Sequence, residues 1–196
     1  MAEIKSTMEM VLARADRMAA RAADPQDKEA VLSEEEGMRL GARYMEGAID
    51  DLSEELGRKP QAEQPMIRKG IVSTLLRNIV LPRDEMVLAS SEKAIEGFLS
   101  LAHSSGEAAS TCQELSQILG QYQQHQDQAR QQLEDSIRMQ LEQKLAGHPE
   151  LGDQSALDPT MHPQYREELA RIMTDLNDQY TTALDQRKEL LLERFS

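Results

Sequence analysis

The sequence is poor in the residues that build disulfide-stapled, β-rich or membrane-spanning proteins. It holds one cysteine, Cys112, so no internal disulfide can form, and no cluster of Cys and His has zinc-site spacing. Aromatic residues make up 3% of the chain and tryptophan is missing, which argues against a β-sandwich or barrel. The longest apolar runs, such as Ile79-Val80-Leu81, fall far short of the roughly 20 residues a spanning helix needs. Glu9, Arg14 and Asp16 interrupt the N-terminal segment, which therefore does not read as a secretory signal. A lone thiol and no export or spanning segment predict a cytoplasmic protein in a reducing compartment.

Motifs of catalysis are missing as well. There is no G-x-S-x-G, no G-x-x-x-x-G-K-[ST], no G-x-G-x-x-G and no H-E-x-x-H. The histidines are His103, His125, His148 and His162, and none has a Glu three residues before it, as a carboxylate-bridged di-iron bundle would require. His148 and His162 could meet only if the chain between them folds back. Paired carboxylates such as Asp50/Asp51 and Glu54/Glu55 are expected by chance in so acidic a chain, and a general acid needs a dry pocket that adjacent residues on a helix do not make. Cys112 falls on an apolar helical stripe, where a thiol is usually inert packing. The sequence therefore predicts a non-enzymatic protein with no catalytic residue, no metal site and no cofactor.

What is present is charge and helix. The 196 residues carry 22 basic and 35 acidic side chains, a net charge of -13. Such a field repels a phosphate backbone, which argues against nucleic acid as the partner. The charge is uneven. Residues 24–57 hold 3 basic and 11 acidic groups, and residues 58–83 hold 6 basic and 1 acidic. Arg58, Lys59, Arg68, Lys69, Arg77 and Arg83 thus form a basic island around an apolar segment. This patch is a candidate for an anionic membrane surface or an acidic partner. The plainer explanation, which we prefer, is neutralisation within the chain by Glu46, Asp50, Asp51, Glu54 and Glu55.

Periodicity predicts an all-α fold with two parts. In residues 1–103, a helical bundle is expected. Its first helix is 3–22, with an a/d row Ile4, Met8, Val11, Ala15, Met18 and Ala22 stopped at Asp24-Pro25. A second helix opens at a Ser33/Glu36 capping box and runs through Met45, Ile49, Leu52 and Leu56 to Gly57. Gly37 and Gly41, one turn apart, mark a notch where another backbone can come close. A third helix from Pro65 to Leu81 is apolar around more than half its circumference, so it should be the most buried. A fourth is capped by Asp84 and ends near Ala102, its inner face Val87, Leu88, Ser91, Ile95, Phe98, Leu99 and Ala102.

After the Ser104-Ser105-Gly106 break, residues 107–196 predict a long antiparallel, coiled-coil-like helical hairpin with its loop at 147–163. The first arm carries the row Cys112, Leu115, Leu119, Tyr122, Gln126, Ala129 and Leu133. It then continues at spacings of four through Ile137, Leu141 and Leu145. The second arm carries Leu169, Ile172, Met173, Leu176, Tyr180, Ala183, Leu184, Leu190 and Leu191. The Gln-rich tract GQYQQHQDQARQQ lies on the first arm and is read as solvated helix surface. The eleven methionines are read chiefly as core filler, with adaptability toward partners a secondary role.

The stretches MAEIKSTMEMVLARADRM, LSEEE and NIVLPRDE resemble uncharacterised, all-helical bacterial proteins. The resemblance covers mainly the N-terminal half, carries no motif specific for chemistry and implies no activity or site. Function is therefore expected from surfaces. The first expectation is a scaffold or interaction protein that forms a homodimer, with Leu115, Leu119, Leu169, Ile172 and Leu176 as the protein-binding row. The second is a peripheral binder of membranes or acidic partners through 58–83. The third is a small-molecule or metal sensor using the bundle interior.

Overall fold

The computed structural model describes residues 25–102, 106–146 and 158–195. Among these there are six α-helices and no strand: α1 Pro25–Met45, α2 Leu52–Gly57, α3 Gln64–Asn78, α4 Glu85–Leu101, α5 Gly106–Ala146 and α6 Pro163–Phe195. The all-α class expected from composition and period holds. The predicted helix 3–22 lies outside the described residues. The described residues divide into two compact units, one holding 25–77 with Phe195 and the other those of 78–194. The composition break lies later, at 104–106, but α4 packs against α5, so both stand in the second unit.

In the first unit, α1 begins at Pro25, whose fixed φ and missing N–H suit a first helical turn. The capping box expected at Ser33 is therefore not a helix start. Ser33 is buried in mid-helix, and Pro25 stands in the first turn of this helix. The helix does not run on to Gly57 either. Gly47 has φ 79°, in the left-handed region that glycine adopts without a Cβ penalty. The Ala48 amide donates to the Arg43 carbonyl and the Gly47 amide to the Tyr44 carbonyl, which is a Schellman closure. Asp51 then caps α2, its carboxylate accepting from the amides of Ser53 and Glu54. Leu52 and Leu56 face inward and are fully or almost fully buried.

The glycine notch is real, and its filler is α3. A Cβ at Gly37 would lie 1.9 Å from the Ile67 carbonyl oxygen, and one at Gly70 would lie 2.0 Å from the Glu34 carbonyl oxygen. The two backbones therefore touch, and no larger residue fits at either position. One turn along, Gly41 faces the Thr74 side chain, whose hydroxyl donates to the Gly70 carbonyl at 3.1 Å. Around this crossing Leu40, Tyr44, Ile67, Ile71, Val72 and Leu75 are buried. Full burial of an aliphatic side chain stabilises by about 1.5–3 kcal/mol, so this is the principal source of stability in the unit.

α3 ends at Asn78, not at Leu81. Pro82 forbids a helical Leu81, and the segment from Ile79 to Pro82 is instead extended over the second unit. Its polar groups are satisfied there. The fully buried Ser91 hydroxyl accepts from the Val80 amide at 3.1 Å and has the carbonyls of Asn78 and Val80 at 3.0 and 3.1 Å. Lys188 Nζ donates to the Ile79 carbonyl at 2.9 Å. Asp84 then caps α4 through the Val87 amide, as its position predicts. On α4 the residues Ser91, Ala94, Ile95, Gly97, Phe98 and Leu101 face the core. Leu99, expected inside, is 45% exposed. Leu101 takes the core position instead, because the buried row follows 91, 94, 98 and 101.

α5 has 41 residues and α6 has 33. At about 1.5 Å per residue they extend roughly 60 and 50 Å. Pro163 starts α6, preceded by a single 3-10 turn, Pro159–Met161, that Asp158 caps through the Thr160 amide. The Thr160 hydroxyl and amide hold the Asp158 carboxyl below its usual range.

The glycines give a paired test. Gly37→Ala should destabilise the protein by about 1–3 kcal/mol through overpacking, despite the better helix propensity of alanine. Gly120→Ala, where a Cβ meets nothing within 4 Å, should stabilise by up to about 1 kcal/mol. Urea unfolding followed by circular dichroism reads both signs.

Candidate functional site

The candidate surface is the side-by-side run of α5 and α6. Side-chain contacts connect Glu107 with Arg194 at 2.9 Å and Glu114 with Arg187 at 2.6 Å. Further along, Tyr122 pairs with Asn177, His125 with Tyr180, and Tyr165 with Glu134. From Glu107–Arg194 through Glu114–Arg187 and Tyr122–Asn177 to Glu134–Tyr165, positions rise along α5 and fall along α6, so the two helices run antiparallel over these contacts.

Three zones follow along α5. The first is apolar and closed: Ala108, Cys112, Leu115 and Leu119 are at most 2% exposed. Leu184 and Leu191 of α6 are buried as well. The second is polar. The Tyr122 hydroxyl donates to Asn177 Oδ1 and accepts from Gln126 Nε2 at 2.6 Å. The Tyr180 ring stands edge-on to Tyr122, centroids 5.4 Å apart, and its hydroxyl meets His125 Nδ1 at 2.7 Å. Burial pushes the phenols of Tyr122 and Tyr180 above their usual range, and the Arg130 cation partly offsets this at Tyr122. The third zone holds buried Ile137, Tyr165 and Pro159, with the Tyr165 hydroxyl donating to Glu134 Oε1 at 3.2 Å.

The expected binding row is thereby split. Leu115 and Leu119 are fully buried within their own unit, so in this arrangement they offer no side-chain area to another molecule. Leu169, Ile172 and Leu176 are half-buried, as are Ala129, Leu133 and Leu141 on α5. Leu190, expected in the row, is 38% exposed, while Leu191 beside it is sealed.

The basic island is largely paired. Arg58 bonds Glu54 and Glu55 on α2, Lys59 bonds Glu36, Lys69 bonds Glu34 at 3.0 Å, and Arg83 lies 3.4 Å from Asp84. Glu54 and Glu55 were among the neutralising groups the sequence suggested; Glu34 and Glu36 were not. The α1–α3 crossing brings Glu34 to Lys69, Glu36 meets Lys59 of the connection after α2, and Asp51 is engaged as a cap. Among the described residues, Arg68 and Arg77 make no ion pair.

Of the histidines, His125 belongs to the tyrosine cluster and His162 Nδ1 accepts from the Gln164 amide at 3.3 Å. His103 and His148 lie outside the described residues. No group of three or more His, Cys, Asp or Glu side chains is arranged to hold a metal among the described residues. No helix among them is long and apolar enough to cross a membrane. Two features escaped sequence reasoning. The tyrosine cluster joins residues 55 positions apart, and its only local signal is polar side chains at seam positions 122 and 126. Lys188 sits between Leu184 and Leu191 on the buried stripe of α6, a cation where an apolar residue is usual.

With this geometry in view, one comparison is informative. A family of unknown function, DUF6657, matches residues 53–193, well over half of the chain. The chain belongs to this family. The match takes in NIVLPRDE, the segment gripped by Ser91 and Lys188, while LSEEE and the opening residues precede it. No curated protein and no solved structure matches the chain.

Cys112 supplies a test of the closed zone. Burial pushes its thiol from 9.0 up to about 11. The folded state therefore holds this proton where the unfolded chain releases it, so its stabilising effect is full below about pH 9 and is lost as pH rises toward 11. Wild type should lose melting temperature between pH 8.5 and 10.5 more steeply than Cys112→Ala, and a thiol reagent at pH 8 should label Cys112 only after urea is added.

Proposed function

We propose that this DUF6657 protein is a non-enzymatic, cytoplasmic interaction protein that docks other chains, first of all a second copy of itself, along α5 and α6. The observation that carries this is the incomplete cover over their middle and far portions. Leu169, Ile172, Met173 and Leu176 on α6, with Ala129, Leu133 and Leu141 on α5, are all half-buried. Two helices side by side enclose only the line between them, and water reaches the flanks of the seam. A further helix laid along that flank removes the remaining apolar area from water, at about 25 cal/mol for each Å². A symmetric pair of copies is the simplest arrangement that does so.

In this proposal the docking row is Leu169, Ile172 and Leu176, while Leu115 and Leu119 are sealed in the closed zone and take no part in it. The membrane or acidic-partner alternative through 58–83 ranks behind, because four of its six cations already have carboxylate partners. Exposed pairs are individually weak, but they lower the local potential an anionic surface would feel.

Light scattering across a dilution series tests the proposal. Wild type should run at twice its 22.1 kDa chain mass, and Ile172→Glu with Leu176→Glu should run at the chain mass with unchanged helicity. A wild-type monomer at every concentration would overturn self-association. A dimer that survives both substitutions would overturn the assigned face.

A further inference from the structure

Lys188 is the least expected side chain in the second unit. It stands one turn from Leu184 and one from Leu191, both buried, so it occupies the core-facing stripe of α6. Its side chain is only 21% exposed. Taking an ammonium group that far out of water is costly unless a partner compensates. The nearest carboxylate, on Asp185, is 3.9 Å away and does little. The compensation comes from the Ile79 carbonyl at 2.9 Å, 109 residues earlier in the chain.

That carbonyl belongs to the extended segment 79–82, which lies within the second unit just after its start at Asn78. The segment has two anchors. Ser91 holds the Val80 amide and a carbonyl on one side, and Ile79 and Pro82 are themselves buried. Lys188 holds the Ile79 carbonyl on the other. A charged donor makes a stronger hydrogen bond than a neutral one, and this one exists only while α6 lies on α5. The α6 seat is fixed near Lys188 by Leu184, Leu191 and the ion pairs of Arg187 and Arg194.

We infer that the C-terminal half of α6 is a latch: Lys188 ties the 79–82 segment to α6 only when α6 is seated on α5, so that seating and segment closure are one event. Displacing this half of α6 removes the Lys188 donor from the Ile79 carbonyl and so frees that side of the segment. The alternative is a lysine that merely finds a polar atom for its tip while Ser91 alone does the holding.

Hydrogen exchange on the full-length chain distinguishes the two. Lys188→Met keeps the length and apolar stem but removes the donor. It should speed exchange of the Val80 amide by about tenfold while the Ile95 amide on α4 stays at the wild-type rate. Lys188→Arg, which retains a cationic donor, should recover most of the protection. Leu191→Ala, which touches no polar group of the segment, should also speed Val80 by loosening the α6 seat. Val80 exchange in Lys188→Met within twofold of wild type would overturn the latch. So would an equal rise at Val80 and Ile95, which would signify general loosening. Lys188→Met decides the matter by itself if Leu191→Ala does not fold.

Discussion

The second unit depends on one constraint, the register of α5 against α6. Two helices this long can slide by a turn and still bury leucine on leucine, because apolar contact is not directional. Directional contacts at separated points remove that freedom. Ion pairs fix the end near Glu107 and Glu114, the Tyr122–Asn177 hydrogen bond fixes the middle, and Tyr165 with Glu134 fixes the far end. The outer ion pairs are solvent-exposed and each contributes little. The tyrosine bonds are partly buried, so a slipped register leaves polar groups without partners where water is scarce, and that costs more than the bonds themselves provide. The register in turn decides what the rest can do. It seals Leu115 and Leu119, leaves Leu169, Ile172 and Leu176 half-covered, and brings Lys188 to the Ile79 carbonyl.

The first unit solves a different problem by a different means. Here two helices cross so closely that backbone meets backbone at Gly37 and Gly70, and packing alone sets the geometry. The ion pair of Lys69 with Glu34 follows from that crossing, and Lys59, in the connection after α2, pairs with Glu36 beside it. The acidic block and the basic island, the most visible charge feature of the sequence, are therefore in part the two faces of one helix contact.

Local chemistry was legible where a residue acts on its own neighbours. Asp84 bounds a helix because capping is a property of a single residue, whereas Gly106 and Pro163, read as break and loop, stand inside helices. Ser33 misled because a capping motif is also an ordinary helical tetrapeptide, and Pro25 upstream had already started the helix. Gly47 gives no local sign of a helix end, because the apolar row on either side of it keeps helical spacing and the left-handed φ is a property of the fold. For the candidate surface, periodicity names apolar rows whose members the structure leaves variously buried, half-buried and, at Leu190, exposed. It could not divide them into sealed and half-covered parts, since that depends on which element lies opposite. The tyrosine cluster and Lys188 depend on contacts 55 and 109 residues apart, and no local pattern encodes those.

The most direct test of the register is a pair of spin-label distances measured in protein diluted with unlabelled chain. Labels at positions 107 and 194, in a Cys112→Ala background, should lie about 20 Å apart or less, since packed helix axes are about 10 Å apart. Moving the second label to Arg166 should lengthen the distance to about 40 Å, as 28 helical residues at about 1.5 Å each require. A long distance for the first pair, or a short one for the second, would contradict the antiparallel register on which the sealed zone, the docking row and the latch all rest.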